Sequence, residues 1–227
     1  MSAIFGPAGS AEDFLKKYKA SSDMPKYLSE MGLDAFEYQC GQGVRVTDAS
    51  AQKLKANAEE YGITLSLHAP YFISLSSVEP EKRDKSIDYI LQSCEAAVKI
   101  GAERIVIHSG SCSKMTREAA LELAKDTLMR ARKAAVSQGY ENIRFCPETM
   151  GKINQLGNFE EVMELAALDD SFLPCIDFGH LNARTLGGVN SKEAFEQIVS
   201  VMEKETGLDR EAAIANMRFS FIENLCQ

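Results

Sequence analysis

The chain has 227 residues, of which 45% are hydrophobic and 26% are charged, a composition typical of globular proteins rather than disordered or fibrous ones. No stretch approaches the roughly 20 consecutive apolar residues that a membrane span needs, and the N-terminus lacks a secretory-signal pattern. These features predict one cytoplasmic domain, residues 1–227, with no membrane partner. The net charge of −8 excludes a protein that holds nucleic acid mainly by bulk positive charge.

Seven short apolar runs rich in β-forming residues alternate with segments of helical period. They are Ala3–Gly6, Ala35–Tyr38, Ile63–His68, Arg104–His108, Ile143–Pro147, Leu173–Asp177 and Met217–Ile222. The starts of the runs are about 30 to 40 residues apart, which is the length of a βα unit. This alternation predicts parallel strands joined by right-handed crossovers, in an open sheet or a (β/α)8 barrel.

The helical period is clearest in three segments, each followed by a glycine that can end a helix. The segments are Ala49–Tyr61 before Gly62, Glu81–Ile100 before Gly101, and Thr116–Gln138 before Gly139. Thr47 and Asp48 can cap the first of them. The six cysteines stand singly, without a Cys-x-x-Cys pair, and are predicted to be reduced and mostly buried.

Polar residues that end successive apolar runs favour the barrel, because ligand residues in a barrel come from many different strand ends. These residues are Glu37, His68, His108, Glu148, Asp177 and His180. Only residues 223–227 follow the seventh run, however, whereas a barrel of this type typically has eight strands. We therefore expect a TIM barrel that lacks its eighth βα unit, either through truncation, which we favour, or as a shortened form that associates through unpaired edge strands.

All three histidines of the chain lie where an apolar run stops, beside the carboxylates of Glu148 and Asp177. Buried carboxylates are costly unless they are paired or bind a cation. Imidazoles and carboxylates without thiolates suit Zn²⁺, Mn²⁺ or Fe²⁺. The alternatives are core histidines that are hydrogen-bonded to backbone carbonyls and a salt bridge from Glu148 to a neighbouring lysine or arginine.

Four motifs appear in the order and spacing of the endonuclease IV family: His68–Leu75, Ile107–Ser111, Pro147–Gly151 and Cys175–His180. The chain resembles this family, whose members are zinc-dependent apurinic/apyrimidinic endonucleases of the xylose isomerase-like TIM-barrel superfamily. The resemblance runs from Phe5 to about Glu223.

The resemblance implies a role for each of five ligand residues and two substrate-binding residues. His68 and His108 would hold one zinc together with a bridging, catalytic Glu148, Asp177 would bind a second zinc, and His180 a third. Tyr71 would lie in the DNA-facing pocket, and Arg45, on the loop after the second strand, would contact phosphate. The alternatives are an aromatic lid on the barrel rim for Tyr71 and simple solvent exposure for Arg45.

The sequence departs from the family pattern at Arg218, which stands where a zinc-ligating histidine belongs and has no lone pair to offer. The family's remaining ligands would come after Gln227. These departures predict fewer than three metals and weak or absent cleavage by this chain.

The predicted function is metal-dependent cleavage of DNA on the 5′ side of abasic sites, in base excision repair. One alternative is a sugar isomerase or epimerase on the same barrel, whose relatives often carry a Glu at the position of Glu37. The other is a non-catalytic remnant that binds a metal or a partner.

Overall fold

The computed structural model of the protein describes residues 4–10, 12–112, 115–207 and 217–218, the last pair by its backbone only. Its strands are β1 (Ala35–Gln39), β2 (Thr64–His68), β3 (Arg104–Ile107), β4 (Arg144–Pro147), β5 (Ile176–Asp177) and β6 (Met217–Arg218). The first four form a parallel sheet in the order β1-β2-β3-β4, and β5 pairs in parallel with β6. Parallel bridges from Phe145 to Phe172 and from Glu148 to Cys175 connect the sheet to the segment that leads into β5.

The segment before the first helix adds to the other edge of the sheet. The carbonyl of Phe5 accepts from the N–H of Ala35 at 3.0 Å, and that of Pro7 accepts from Glu37 at 3.0 Å. Ala8 forms a parallel bridge with Glu37. The parallel elements therefore follow one another around a TIM barrel in chain order, which confirms the predicted fold.

Helices alternate with these strands and cover the outside of the sheet. They are α1 (Glu12–Lys17), a 3-10 turn (Ser21–Asp23), α2 (Met24–Glu30), α3 (Asp48–Tyr61), α4 (Pro80–Ile100), α5 (Arg117–Ser137), α6 (Phe159–Ala166), α7 (Phe178–Arg184) and α8 (Lys192–Thr206). The three helices predicted from the sequence are α3, α4 and α5, and each lies within one residue of its predicted bounds. Among the residues that the structure describes, no helix is both long and apolar enough to cross a membrane.

Capping residues fix where the crossover helices begin and end. The Thr47 side chain accepts a hydrogen bond from the N–H of Ser50 at 3.3 Å, which satisfies an N-terminal donor of α3. Gly62 ends α3 in the left-handed region at φ +67°, which is strained for residues with a side chain. Because β2 begins at Thr64, this cap sets the start of the strand that carries His68.

The core lies between the sheet and the helices around it. Buried side chains such as Leu54, Leu67, Ile90, Ile105 and Phe145 fill it on the side of α2 to α5. A second cluster around β5 and α6 to α8 is formed by Val162, Ile176, Phe178, Leu181 and Met202.

The predicted burial of the cysteines is confirmed for the five that the structure describes, which are free thiols: Cys40, Cys94, Cys112, Cys146 and Cys175. Cys226 lies outside the described residues, as do residues 219–222 of the predicted last strand.

Residues on the other face of the strands point into the barrel. Val106 and Cys146 pack there with Leu173 and Cys175 in a small apolar cluster. A cavity of about 1590 Å³ extends from this cluster toward the amino ends of the strands and is lined also by Glu37 and Arg104. None of the five predicted ligands is among the residues lining this cavity, because they stand at or just after the carboxyl ends of the strands.

Candidate metal centre

Three neighbouring strands bring the first group of candidate ligands together. His68 is the last residue of β2, while His108 and Glu148 directly follow β3 and β4. The N–H of Glu148 donates to the carbonyl of Ile107 at 3.1 Å, which extends the pairing of β3 and β4 up to the ligands. Because all three strands are parallel, their carboxyl ends lie at one edge of the sheet, as the sequence predicted.

Both imidazoles converge on one carboxylate oxygen. Oε2 of Glu148 lies 3.2 Å from Nε2 of His68 and 3.1 Å from Nε2 of His108. The two rings meet edge to face, with their centroids 5.0 Å apart. Ligand atoms bound about 2.0–2.1 Å from a tetrahedral zinc lie roughly 3.3 Å from one another, so this spacing fits a metal site.

A hydrogen bond to the backbone sets the tautomer of His68. Its Nδ1 lies 2.9 Å from the carbonyl of Ala69, which can only accept, so Nδ1 carries the proton. The lone pair of the ring is therefore on Nε2, which faces Glu148. Metal-binding histidines are held in this way by a hydrogen bond from their second nitrogen.

Glu148, Asp177 and His180 form a second group, so that Glu148 belongs to both. Asp177 ends β5 and caps α7, where its Oδ1 accepts from the N–H of His180 at 2.8 Å. Nδ1 of His180 donates to the carbonyl of Thr149 at 2.8 Å, which leaves the lone pair on Nε2. Within each group the ligand atoms lie within 4.8 Å of one another.

The backbones of Thr149 and Asp177 are tied to each other through one side chain. The Thr149 hydroxyl accepts from the N–H of Asp177 at 2.8 Å and donates to its carbonyl at 3.3 Å. Thr149 is fully buried. This contact fixes the distance between the strand ends that carry Glu148 and Asp177.

The carboxylates of Glu148 and Asp177 are almost completely buried, unlike the carboxylates of surface ion pairs. Glu148 and Asp177 are each only 1% exposed, and the apolar cluster around Cys146 lies below them on the same strands. Burial raises the pKa of the Cys146 thiol to about 12, so this sulfur is neutral at physiological pH. Two buried carboxylates beside three imidazoles form a donor set that fits a divalent cation.

The predicted substrate-binding residues lie outside these two groups, on neighbouring loops. Tyr71 is 62% exposed, and its N–H donates to the carbonyl of Gly41 at 3.2 Å. Arg45 is exposed further along the loop that contains Gly41. The structure therefore places the Tyr71 segment against the loop of Arg45.

One detail differs from the sequence analysis. Glu37 was taken as the polar residue at the end of its strand, but β1 continues to Gln39, which lies opposite His68. Gln39 is thus the residue of β1 at the level of the ligands, and the alternation of side chains along β1 was the signal for it. Arg218 pairs with Asp177 through the backbone, which puts position 218 at the same end of the barrel.

The fold and these groups define a TIM barrel with candidate metal ligands at the carboxyl ends of its strands. Residues 25–210 match the family of xylose isomerase-like TIM barrels. An uncharacterized protein of Methanocaldococcus jannaschii is 32% identical over 207 residues, which are 90% of this chain and 71% of that protein. The chain therefore belongs to the xylose isomerase-like TIM barrel family.

Two further proteins that are similar to the chain carry different functional names. A probable endonuclease 4 of Staphylococcus aureus strain JH9 is 26% identical over 204 residues, which are 82% of this chain and 66% of that protein. The crystal structure of 3-keto-D-glucoside 4-epimerase from E. coli has a TM-score of 0.72 at 15% identity, covering 100% of this chain and 94% of the epimerase. The fold is thus common to endonucleases and sugar epimerases.

Proposed function

We propose that the protein is a zinc-dependent phosphodiesterase that cleaves DNA on the 5′ side of abasic sites during base excision repair. The main support is the pair of ligand groups that share Glu148, since a shared carboxylate can bridge two metal ions. The similarity to the probable endonuclease 4 over 82% of the chain adds to this support. The histidine and carboxylate ligands also suit Mn²⁺ or Fe²⁺.

Each ligand has a defined task in this proposal. His68, His108 and Glu148 would hold one ion, and Glu148 would be shared with Asp177 at a second, beside His180, which the resemblance assigns to a third. Bound metal supplies Lewis acidity and lowers the pKa of water. The backbone acceptors of His68 and His180 keep both rings in the tautomer that binds through Nε2.

The charge of the chain determines how the substrate is held. At a net charge of −8, the protein as a whole repels a DNA duplex. Affinity then depends on the metal ions and on rim residues such as Tyr71 and Arg45. Cleavage is therefore expected to fall as salt is added, because the phosphate contacts are screened.

The test is to incubate the purified protein with a labelled duplex that carries one abasic site and with the same duplex lacking it. We expect zinc-dependent cleavage of the abasic duplex only, lost in the presence of a chelator and weak even in the wild type, because family ligands are missing. His108→Ala is expected to lose both activity and tightly bound zinc. Arg130→Gln, which changes an exposed ion pair with Asp84 on α4 and α5, is the matched control and is expected to retain both.

The same assay separates the two alternatives. Conversion of a ketose without cleavage of DNA would show a sugar epimerase, and zinc binding without either activity would show a non-catalytic metal-binding protein. Cleavage that persists in the presence of a chelator would contradict the metal-dependent mechanism. Zinc content that is equal in wild-type and His108→Ala protein would contradict the ligand assignment.

A further inference from the structure

The loop of residues 150–157 connects the site to the helices around it. It begins two residues after Glu148 and leads into α6. Several of its backbone carbonyls accept hydrogen bonds from two arginines, Arg117 at the start of α5 and Arg184 at the end of α7. Side chains from distant parts of the chain thus help to hold the shape of this loop, together with backbone hydrogen bonds from Cys112 to Asn154 and from Leu156 to Gly110.

Arg117 holds both the loop and α6. Its Nη1 donates to the carbonyl of Ile153 at 2.8 Å, and its Nη2 to that of Gln155 at 3.2 Å. Its Nε and Nη2 also donate to the two carboxylate oxygens of Glu161, at 2.7 and 2.6 Å. Such a forked contact requires a guanidinium, because a lysine ammonium cannot make these parallel bonds.

Arg184 is the second arginine that holds the loop. Its Nη1 donates to the carbonyls of Met150 at 3.1 Å, Lys152 at 2.8 Å and Gln155 at 3.3 Å. Burial and the charge of Arg117 lower the pKa of Arg184, so its position beside a second cation is electrostatically unfavourable. Since Asp177 caps the N-terminus of α7, this arginine ties the Glu148 loop to the helix of the second ligand group.

Glu161 completes the connection to the ligands. Its Oε2 accepts from the N–H of Gly157 at 2.7 Å, and the carbonyl of Gly157 accepts from the N–H of Met150 at 2.7 Å. Gly157 has φ +121°, and a Cβ there would lie 2.9 Å from the carbonyl oxygen of Glu148. The closed loop therefore packs directly against the backbone of the shared ligand.

We propose that Arg117, Arg184 and Glu161 form a clamp that positions Glu148 and Thr149, and thereby sets metal affinity at the group of Glu148, Asp177 and His180. The inference rests on the metal centre of the proposed function. All three are positioning residues, whose hydrogen bonds described above run to the loop and between Arg117 and Glu161. The clamp acts through Thr149, whose carbonyl orients His180 and whose hydroxyl holds Asp177.

The experiment measures metal binding directly. Wild-type, Arg117→Gln and Arg117→Lys proteins are loaded with Co²⁺ and their visible absorption spectra recorded, and zinc affinity is measured by competition with a chromophoric chelator. Arg130→Gln is the control, because Arg130 lies on the same helix but pairs with Asp84, away from the loop.

We expect Arg117→Gln to bind one zinc about 10- to 100-fold more weakly and to show an altered Co²⁺ spectrum, as is usual for residues that orient ligands. Arg117→Lys is expected to recover part of this loss, because an ammonium can pair with Glu161 but cannot reach both carbonyls. Arg184→Lys keeps the charge but loses the guanidinium that donates to the loop carbonyls, and serves if Arg117→Gln does not fold. The control is expected to match the wild type.

A folded Arg117→Gln or Arg184→Lys protein with wild-type zinc affinity and Co²⁺ spectrum would overturn the clamp and leave the proposed function intact. Weaker zinc binding in the clamp variants, together with a wild-type protein that does not cleave abasic DNA, would support the clamp and contradict the proposed activity. A wild-type protein that binds neither zinc nor Co²⁺ would overturn both, because the metal centre itself would be absent.

Discussion

Gln39 lies directly opposite His68 in the parallel pairing of β1 with β2, so its side chain is at the level of the ligands. Its Nε2 donates to Oε1 of Glu37 at 2.8 Å. Gln39 is exposed, whereas Tyr38 before it is half-buried and Cys40 after it is buried. The Gln39 amide is therefore oriented by Glu37 and exposed to solvent, so it is well placed to contact a substrate.

Replacement of Gln39 by Leu is expected to weaken substrate binding without loss of metal. One lost hydrogen bond corresponds to about 1 kcal/mol, or roughly a fivefold rise in KM for the abasic duplex. Steady-state kinetics and metal analysis measure the two effects. Gln52→Leu on the exposed face of α3 is the control, and a Gln39→Leu enzyme with unchanged KM would exclude a binding role.

Replacement of Thr149 by Val is expected to destabilise the protein by about 2 kcal/mol, because the buried N–H of Asp177 loses its acceptor. Zinc binding at the Asp177 group is expected to weaken as well. Thr149→Ser retains the hydroxyl and is expected to keep zinc affinity near that of the wild type. Thermal unfolding and chelator competition measure both effects, and equal zinc affinities for Val and Ser variants would contradict the prediction.

Glu161 is expected to make stability depend on pH. Burial raises the pKa of its carboxyl, but hydrogen bonds from Arg117, Gly157 and Asn158 outweigh burial and hold the pKa below its ordinary value of 4.5. The folded state therefore binds this proton less readily than the unfolded state, so the stabilisation is complete above pH 4.5 and is lost as the pH falls through the lowered value.

Glu161→Gln is accordingly expected to cost about 2 kcal/mol at pH 7, the scale of hydrogen bonds to charged groups, and progressively less in acid. Urea unfolding of both proteins between pH 7 and pH 3 measures the difference. A difference that stays constant over this range would show that the charge of Glu161 does not contribute.

Ser109, which follows the candidate ligand His108, has a buried hydroxyl. Its Oγ has no hydrogen-bond partner among the residues that the structure describes, and the residue is fully buried. Ser109→Ala is expected to leave stability unchanged or to raise it by up to about 1 kcal/mol, because an unsatisfied polar group is removed. A marked loss of stability on chemical denaturation would show that the hydroxyl has a partner in solution.

The positions of the candidate ligands could be predicted from the sequence because each follows an apolar run, and parallel strands bring such positions together. This holds for His68, His108 and Glu148, whose strands begin and end within about one residue of the predicted positions. Helices α6 and α7 could not be predicted with the same ease, because they span only 8 and 7 residues and give few turns of helical period.

The clamp could not be predicted, for a different reason. Arg117 and Glu161 are 44 residues apart and lie on different helices, so their pairing depends on the packing of α5 against α6. Gln39 was missed because a polar residue before Cys40 and Gly41 is also typical of a loop. Only the backbone pairing with β2 shows that the strand includes it.

The contact between His68 and Glu148 joins residues that are 80 positions apart in the chain and belong to strands separated by β3. An ion bound by both would act as a cross-link that closes this long loop, much as a disulfide does, and would reduce the entropy of the unfolded chain. Metal supply would then govern resistance to heat and proteolysis as well as chemistry. A cell short of zinc would hold the protein in a more easily degraded form.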